Sequence, residues 1–430
     1  MTEPTTSTRS KFPWLVGGAF LAMFVAGLPG LFDRVVHEHA HTAGSDMTPW
    51  GLWVAGYIFF SGISAGAFPI AAMPHVFGYR RFRPLVGTAL LVALCSLVAA
   101  MFFVLVDLGR PERAMTHVLF RPNTSSVMFW VIASYGMYSI LLGLMSYFAF
   151  RPRWGESALA TGRLLPRLLA LGYRGTPAQE RRNDLALRII GALGLLVALT
   201  LAGGVGSLFA GLGGRAFWHS GLFPITFIVS ALLSGAALVL ASATLLGRGG
   251  EAFKTTLLLL ARLIGLLLVV ELVIIPVEAV ITLNGGIPSH VAVLQTIATG
   301  PFAWVFWVLQ VGFGTIVALW LLVGPKRPSL VVSSVAALYV LVGVFAFRLN
   351  FVIPQLVDPT SAYVPNLMEW NVVICGVGLA GLVFLLGSRV LPVFPASAPM
   401  EFELAAHPSK TVSLSAAGFA PAERTEVPNV

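Results

Sequence analysis

The 430-residue chain has 10% charged and 57% hydrophobic residues, whereas a water-soluble domain carries about 25% charged residues. This composition excludes a soluble globular protein and makes membrane lipid the surrounding solvent. The formal net charge of +9 comes from basic residues in short connections between apolar segments, where the positive-inside rule accounts for them. We therefore expect no nucleic-acid partner.

Ten apolar stretches are long enough to cross a hydrocarbon core about 30 Å thick. They predict an all-α integral membrane protein with about ten transmembrane helices, numbered here spans one to ten, at residues 14–32, 50–73, 85–106, 126–148, 186–209, 223–247, 258–283, 300–323, 329–347 and 370–391. A ten-span membrane domain then covers 14–391. A short tail at 1–13 precedes it, and a Pro-, Ala- and Ser-rich, poorly ordered tail at 392–430 follows it.

Basic residues are distributed unevenly between the two sets of connections. Fourteen Lys and Arg residues lie in the connections at 74–84, 149–185, 248–257 and 324–328, and six lie in the connections of the other set. The positive-inside rule assigns the richer set to the cytoplasm. Both termini are then predicted to be cytoplasmic.

The chain offers few ligands for a redox group. Cys95 and Cys375 each lie inside an apolar span with no thiol or histidine nearby, so we expect no iron–sulfur cluster. The histidines lie in loops, at span ends or in the tail, whereas axial haem ligands project from mid-membrane positions. We expect no haem or flavin either. The alternating His37, His39 and His41 share a metal only if their loop is extended, so we expect no required metal site.

Acidic residues inside span seven are the first functional candidates. A charged side chain at the bilayer centre costs about 2.5–3.5 kcal/mol on insertion scales, yet Glu271 lies near mid-membrane and Glu278 about two turns farther along almost the same face. Between them, Pro276 frees the carbonyl of Leu272. A proton relay is one interpretation. A pair of carboxylates that are neutralised inside the helix bundle is the other.

Span two carries a polar stripe. Tyr57, Ser61 and Ser64 lie at positions i, i+4 and i+7 of one helix face. Gly62 and Gly66 form a GxxxG step that allows a neighbouring helix to approach closely. A binding pocket wall and plain helix packing both explain this stripe.

The segment that follows span three combines an acid and a base at the membrane boundary. Asp107 ends the span, and Arg110 follows within one turn. The pair could hold a quinone headgroup, with Asp107 exchanging protons while Arg110 or Tyr135 polarises a carbonyl. A simple ion pair at the helix end is the competing interpretation.

These motifs resemble the NrfD/PsrC family. The LGRP at 108–111, preceded by Asp107 and followed by RPNTSSVMFW at 121–130, is similar to the signature of that family, and WGLWVAGYIFFSGISAGAF at 50–68 is similar to its second helix. The resemblance covers about 14–391, although specific motifs are confined to 50–130.

The resemblance implies a fold and a role. Members have two four-helix bundles, and the ten-span branch adds a flanking helix at each end, so spans two to five and six to nine would be the bundles. Members lie in the bacterial or archaeal cytoplasmic membrane. They exchange electrons between quinone, which is the bound substrate, and an extracytoplasmic four-cluster ferredoxin-like iron–sulfur subunit with its catalytic subunit.

The resemblance also implies a position for the site, and an alternative function remains open. Asp107 and Arg110 fall in the family's quinone-proximal loop, and Ser61 to Gly66 fall in its pocket wall, whereas Glu271 and Glu278 match no family motif. A proton-coupled secondary transporter also uses intramembrane acids and glycine-broken helices. Purification distinguishes the two, because a transporter is isolated alone.

Overall fold

The computed structural model describes residues 12–44, 50–110, 113, 116, 120–210, 220–246, 250–324, 329–353 and 363–393. Nearly all of both predicted tails lies outside this part of the chain. The described residues form helices and connections without a β-strand, and they include ten helices that are long and apolar enough to cross a membrane. The predicted class, an all-α multi-pass membrane protein, is confirmed.

The ten spans correspond one to one to the predicted ones, although span four continues to Thr161 instead of residue 148 and span five begins at Pro177 instead of residue 186. Spans one to five are Phe12–His37, Leu52–Val76, Arg80–Asp107, Val127–Thr161 and Pro177–Ala210. Spans six to ten are Phe223–Leu246, Glu251–Asn284, Val305–Val323, Leu330–Val352 and Leu367–Val390. Span three begins with a 3-10 turn, Arg80–Leu85, and short helices at Leu164–Ala170 and Pro288–Thr299 lie in connections.

Two helix ends differ from the prediction in a way that matters for function. Span one continues to His37 instead of ending at residue 32, and span nine continues to Val352 instead of ending at residue 347. Arg34 and Arg348, which the charge count assigned to connections, therefore lie within helices and are buried. In each case the apolar run ends at or just before the arginine, whereas the helical backbone hydrogen bonding continues past it.

Span eight contains a long π-helix. Residues Val305–Val317 have π-helical geometry and continue as the α-helix Ala318–Val323. A Cβ atom on Gly314 would collide with the Cα of Gly343, so span nine packs directly on the π-helix backbone. The buried side-chain amide of Asn350 donates to the side-chain oxygen of Gln310 at 3.1 Å. Segments of this geometry are rare and frequently occur at functional sites.

Helix contacts group the spans. Span two contacts spans three and five, and span four contacts both of these; span nine contacts spans six, seven and eight. Span two also packs against spans six and nine. These contacts support two four-helix bundles, spans two to five and spans six to nine, as a proposal.

Spans one and ten pack on each other through small residues. A Cβ atom on Gly27 would meet the backbone of Asn371, and one on Gly378 would meet the backbone of Phe24. The other side of span one exposes large apolar side chains such as Trp14, Leu21 and Val25. A helix of this kind requires lipid on its free face.

The GxxxG step of span two meets span six. A Cβ atom on Gly66 would collide with the carbonyl oxygen of Ala231, and one on Gly235 would collide with the carbonyl carbon of Gly66. The two backbones therefore touch, as the small-residue pattern predicts. Gly62 has more room, since the atom nearest to a Cβ there would be a guanidinium nitrogen of Arg348 at 3.6 Å.

We predict that Gly66→Ala destabilises the protein by about 1–3 kcal/mol, because overpacking a tight contact forces backbone shifts. The thermal unfolding midpoint in detergent should fall. Gly143→Ala is the matched control, since a Cβ atom at Gly143 meets nothing within 4 Å and alanine favours a helix. Equal midpoints for the two variants would contradict the close contact between spans two and six.

Candidate functional site around Asp107 and Arg348

Arg34 fastens span one to the end of span three. Its Nε donates to the carbonyl of Val106 at 2.7 Å, and one terminal nitrogen donates to the carbonyl of Leu108 at 2.9 Å. Asp107 lies between these two carbonyls in sequence and interacts electrostatically with the Arg34 guanidinium. The Arg34 charge therefore favours the ionised form of Asp107, whereas burial opposes it.

His39 covers the same helix end. Its Nε2 lies 3.1 Å from the carbonyl oxygen of Asp107 and 3.1 Å from an Arg34 nitrogen. The Nε2–H tautomer donates to the carbonyl, whereas the other tautomer accepts from Arg34. Burial and the nearby Arg34 charge lower the pKa of His39. The imidazole is consequently neutral near pH 7 and also contacts the Trp53 ring, with the ring centres 5.9 Å apart.

Tyr363 and Glu369 complete the surroundings of Asp107. The Tyr363 hydroxyl accepts from the backbone N–H of Leu52 and donates to the carboxylate of Glu369, each at 2.8 Å. Glu369 also caps span ten reciprocally with Asn366 and interacts electrostatically with Asp107. Burial and the Glu369 charge raise the pKa of Tyr363, so its hydroxyl stays protonated. We call Arg34, His39, Asp107, Tyr363 and Glu369 the Asp107 cluster.

Arg110 does not belong to this cluster. It is exposed, and the ion pairs of the described residues do not include an Asp107–Arg110 pair. Asp107 instead interacts electrostatically with Arg34, although the two side chains form no direct ion pair among the described residues. Pro111 and much of the loop that follows lie outside the described residues.

A second polar cluster surrounds Arg348, deeper in the protein. Arg348 is 1% exposed and donates to the Ser230 hydroxyl at 2.5 Å. The guanidinium carbon lies 4.0 Å from the centre of the Phe227 ring, which attracts a cation through its π face. The Nε and one terminal nitrogen of Arg348 have no hydrogen-bond partner among the described residues.

Three acidic or hydroxyl side chains face this guanidinium. Glu271, Tyr57 and Tyr135 each interact with it electrostatically. Glu271 is 8% exposed and forms no direct salt bridge within the described part of the chain. The Tyr135 hydroxyl lies beside Ser61 but completes no hydrogen bond of normal geometry there. We call Tyr57, Ser61, Tyr135, Ser230, Glu271 and Arg348 the Arg348 cluster.

Tyr57 connects the two clusters. It interacts electrostatically with Asp107 on one side and with Arg348 and Tyr135 on the other. A small cavity, large enough for about one water molecule, lies beside Arg348 and is lined by Ser61, Gly62 and Phe227 among other residues. A water molecule there has polar partners, since the unpaired nitrogens of Arg348 need acceptors.

Ser64 has a structural role instead. Its hydroxyl donates to the carbonyl of Ala93 at 2.8 Å and lies 3.0 Å from the Tyr138 hydroxyl. Tyr138 in turn donates to the backbone carbonyl of Ser64 at 2.7 Å. These bonds satisfy both side chains and tie spans two, three and four together, so the helix-packing interpretation fits Ser64.

Glu278 lies apart from both clusters. The residue is partly buried, and one of its carboxylate oxygens is buried without a hydrogen-bond partner in the described structure. Glu271 and Glu278 both lie on Glu251–Asn284, and about ten Å of helix rise separate them. The structure therefore provides no direct contact between the two glutamates of the predicted relay.

Four residues of the Arg348 cluster lie near the same end of their helices, whereas Glu271 lies thirteen residues from the end of span seven. Span three ends at Asp107, and we call this side of the helices the Asp107 side. Spans two, four and six begin on the Asp107 side, and span nine ends there. Tyr57, Tyr135, Ser230 and Arg348 lie four to eight residues inside their helices from that side, or roughly 6 to 12 Å at about 1.5 Å per residue. They lie in the nearer half of a core about 30 Å thick.

Comparison with known proteins identifies the family. The family model for polysulphide reductase, NrfD, matches residues 40–358. This segment contains the whole Arg348 cluster but only Asp107 of the Asp107 cluster. This chain belongs to the NrfD family. The matched segment excludes spans one and ten, the two helices that pack on each other.

Relatives match over nearly their whole length. A selenate reductase subunit of Mesobacillus selenatarsenatis is 33% identical over 86% of this chain and 92% of its own. The Hdr-like menaquinol oxidoreductase integral membrane subunit of Archaeoglobus fulgidus is 25% identical over 85% of this chain and 90% of its own. The menaquinone reductase integral membrane subunit of Nitratidesulfovibrio vulgaris is 23% identical over 91% of this chain and 94% of its own. Each relative is, by its name, one subunit of a redox enzyme.

The two arginines of the site were not predicted from the sequence of this NrfD-family chain. Arg348 follows an apolar run directly and Arg34 follows one after Asp33, and both were counted as loop charges. One signal was present for Arg348: the sequence Arg348–Leu349–Asn350–Phe351–Val352 returns to apolar residues before any Pro or Gly. A lone charge followed by more apolar residues is typical of a buried intramembrane group.

We predict that Tyr363→Phe destabilises the protein by about 1–3 kcal/mol, because it removes the buried partner of the Leu52 N–H and one of the donors to the Glu369 carboxylate, which keeps its bond from the Asn366 N–H. A lower unfolding midpoint in detergent would show this. Tyr339→Phe is the control, since the described contacts of Tyr339 are made by its ring. An unchanged midpoint for Tyr363→Phe would mean that water replaces the hydroxyl.

Proposed function

We propose that this protein is the quinone-binding membrane subunit of a multi-subunit oxidoreductase. The main support is a line of polar side chains from Asp107 through Tyr57 to Arg348 and Glu271, inside an otherwise apolar domain. Buried polar groups that lack partners within the described residues, at Tyr135 and Arg348, lie along this line. The names of the relatives support the same role.

The quinone headgroup binds at the Asp107 cluster in this proposal. The cavity beside Arg348 is too small for a ring, whereas Asp107 lies at the helix end, where a headgroup with an apolar tail would rest. Asp107 is partly buried, and Arg34 and His39 bind the backbone carbonyls of Leu108 and Asp107 beside its carboxylate. Two relatives are named for menaquinone or menaquinol, which makes menaquinone the first quinone to test, with ubiquinone second.

Asp107 exchanges protons with the bound quinone. Reduction of a quinone takes two electrons and two protons, so a buried headgroup needs an acid within hydrogen-bond reach or one water away. Tyr57, Tyr135 and the unpaired Arg348 nitrogens offer a route through water to Glu271. Glu278 lies nearer the Asp107 side of span seven, so a relay along that helix runs from Glu278 to Glu271. Arg110 and Ser64 are peripheral to this path, since one is exposed and the other is fully hydrogen-bonded.

Electrons enter or leave on the Asp107 side. We assign this side to the exterior of a bacterial or archaeal cytoplasmic membrane, with both termini cytoplasmic, from the distribution of Lys and Arg. The partner is an extracytoplasmic four-cluster ferredoxin-like iron–sulfur subunit with its catalytic subunit. It docks on the connections at 107–125, 210–222 and 348–369, much of which lies outside the described residues.

We predict that Asp107→Asn lowers quinone-dependent turnover on the order of 100-fold, the scale of general acid–base catalysis, while partner assembly and artificial-dye activity persist. Asparagine keeps the size and hydrogen bonding of Asp107 but cannot exchange a proton. The measurement is the ratio of the quinone-dependent rate to the dye-dependent rate in the same membranes.

Two further variants provide a control and a comparison for this prediction. Asp184→Asn makes the same chemical change at an exposed position of span five and should leave the ratio unchanged. Glu271→Gln should lower turnover less than Asp107→Asn and should reduce any coupled proton movement more, because Glu271 lies beyond Arg348 in the proposed path. Near-normal quinone turnover of Asp107→Asn would refute the assigned role.

Topology provides a separate prediction. The two native cysteines are buried, so a single introduced cysteine reports its own location. Ser125→Cys, in an exposed turn before span four, should react with a membrane-impermeant maleimide added outside intact cells. Glu156→Cys, exposed at the other end of that span, should react only after lysis. The reverse pattern would invert the orientation.

A proton-coupled transporter is the alternative, since the buried Glu271 and Arg348 would also suit proton transport. The named functions of the relatives favour the oxidoreductase subunit. Purification under mild conditions distinguishes them: co-isolation of an iron–sulfur subunit supports our proposal, and an isolated chain that carries a proton-coupled flux contradicts it.

A further inference from the structure

The end of span one carries a cluster that the proposed quinone chemistry does not use. The Nδ1 atoms of His37 and His41 lie 2.8 Å and 3.0 Å from the same carboxylate oxygen of Asp33. One ligand atom from each of the three residues lies within 4.8 Å of the others. The imidazole rings are 4.6 Å apart between centres. Three potential metal ligands therefore converge on one point.

The backbone holds these groups in position. Asp33 and His37 lie one helical turn apart, and the helix ends at His37. Glu38 then takes a left-handed conformation, with φ of 53°, which turns the chain so that His41 returns over His37. The side-chain amide of Asn366, the cap of span ten, donates to the His41 carbonyl at 2.7 Å. The site is thus anchored from a second helix.

His39 is directed away from this point, toward Asp107 and Arg34. The sequence pattern grouped His37, His39 and His41 as ligands of an extended loop, and we expected no required metal site there. The structure instead forms a turn, in which Asp33 joins two of the three histidines.

We propose that Asp33, His37 and His41 bind one divalent transition-metal ion, with zinc as the reference ion. Two imidazoles and a carboxylate are a ligand set that zinc accepts, with a fourth position left for water. Ligand atoms bound to one ion at about 2.1 Å lie at most about 4.2 Å apart. The observed spread of 4.8 Å closes with a small rotation of exposed side chains.

Hydrogen-bond chemistry allows two arrangements here, one of which requires a cation. In the tautomer that carries its proton on Nε2, each histidine presents a lone pair at Nδ1. Both lone pairs then face an acidic oxygen of Asp33, an arrangement of acceptors that a cation satisfies. The competing arrangement has protons on Nδ1, so that both histidines donate to Asp33 and no ion is held.

Zinc binding to the purified complex distinguishes the two arrangements. The complex is stripped with a chelator and dialysed against a series of Zn²⁺ concentrations, and bound zinc is measured by mass spectrometry. We expect one site that His37→Gln and His41→Gln each weaken at least about tenfold. His39→Gln and Glu38→Gln are the controls, since neither removes a ligand atom of the cluster.

Equal zinc uptake by all variants would show adventitious binding and overturn the proposal, as would a loss of zinc in His39→Gln alone. Should a variant fail to assemble, Co²⁺ titration of the wild-type complex provides an independent test. Visible bands that appear with one equivalent of Co²⁺ and disappear with Zn²⁺ support the site, and their absence contradicts it. Neither result depends on the quinone chemistry.

Discussion

The burial of Arg348 is the constraint on which the arrangement of the helices depends. A guanidinium inside a lipid-solvated domain costs several kcal/mol unless it is paired and hydrogen-bonded. Span six supplies the Ser230 hydroxyl and the Phe227 ring. Spans two, four and seven supply Tyr57, Tyr135 and Glu271. The close backbone contact at Gly66 brings spans two and six near enough for their side chains to reach the same cation.

The two clusters differ in how completely their polar groups are paired. Around Asp107, Arg34 binds two carbonyls, and Tyr363 both accepts and donates, so that cluster is rigid before any ligand arrives. Around Arg348, two guanidinium nitrogens and the Tyr135 hydroxyl have no partner within the described residues. A preorganised binding position beside an under-satisfied interior suits a site that holds a substrate at the boundary and moves protons inward.

The sequence predicted the spans well because lipid imposes a simple rule: each crossing must be apolar over about twenty residues. The same rule identified Glu271 and Glu278 as costly exceptions, whereas Asp107 was identified from the acid, base and motif at the end of span three. It failed at Arg34 and Arg348, because a charge at the end of an apolar run resembles a helix end until the partners are known. Those partners come from distant spans. Likewise, the GxxxG step predicted a close helix contact, but only tertiary packing shows that the neighbour is span six.

The pairing of span one with span ten affects the order in which the protein can fold. Span one leaves the ribosome first and span ten last, and synthesis between them takes roughly 20 to 70 s at about 5–20 residues per second. During that interval Gly27 and Gly30 have no partner, since Asn371 and Met368 have not yet been made. The Arg34 clamp on span three forms early, whereas the Asn366 contact to His41 forms late. The last helix to be inserted therefore closes the structure around the Asp107 cluster, and a chain truncated before span ten would present that cluster incomplete.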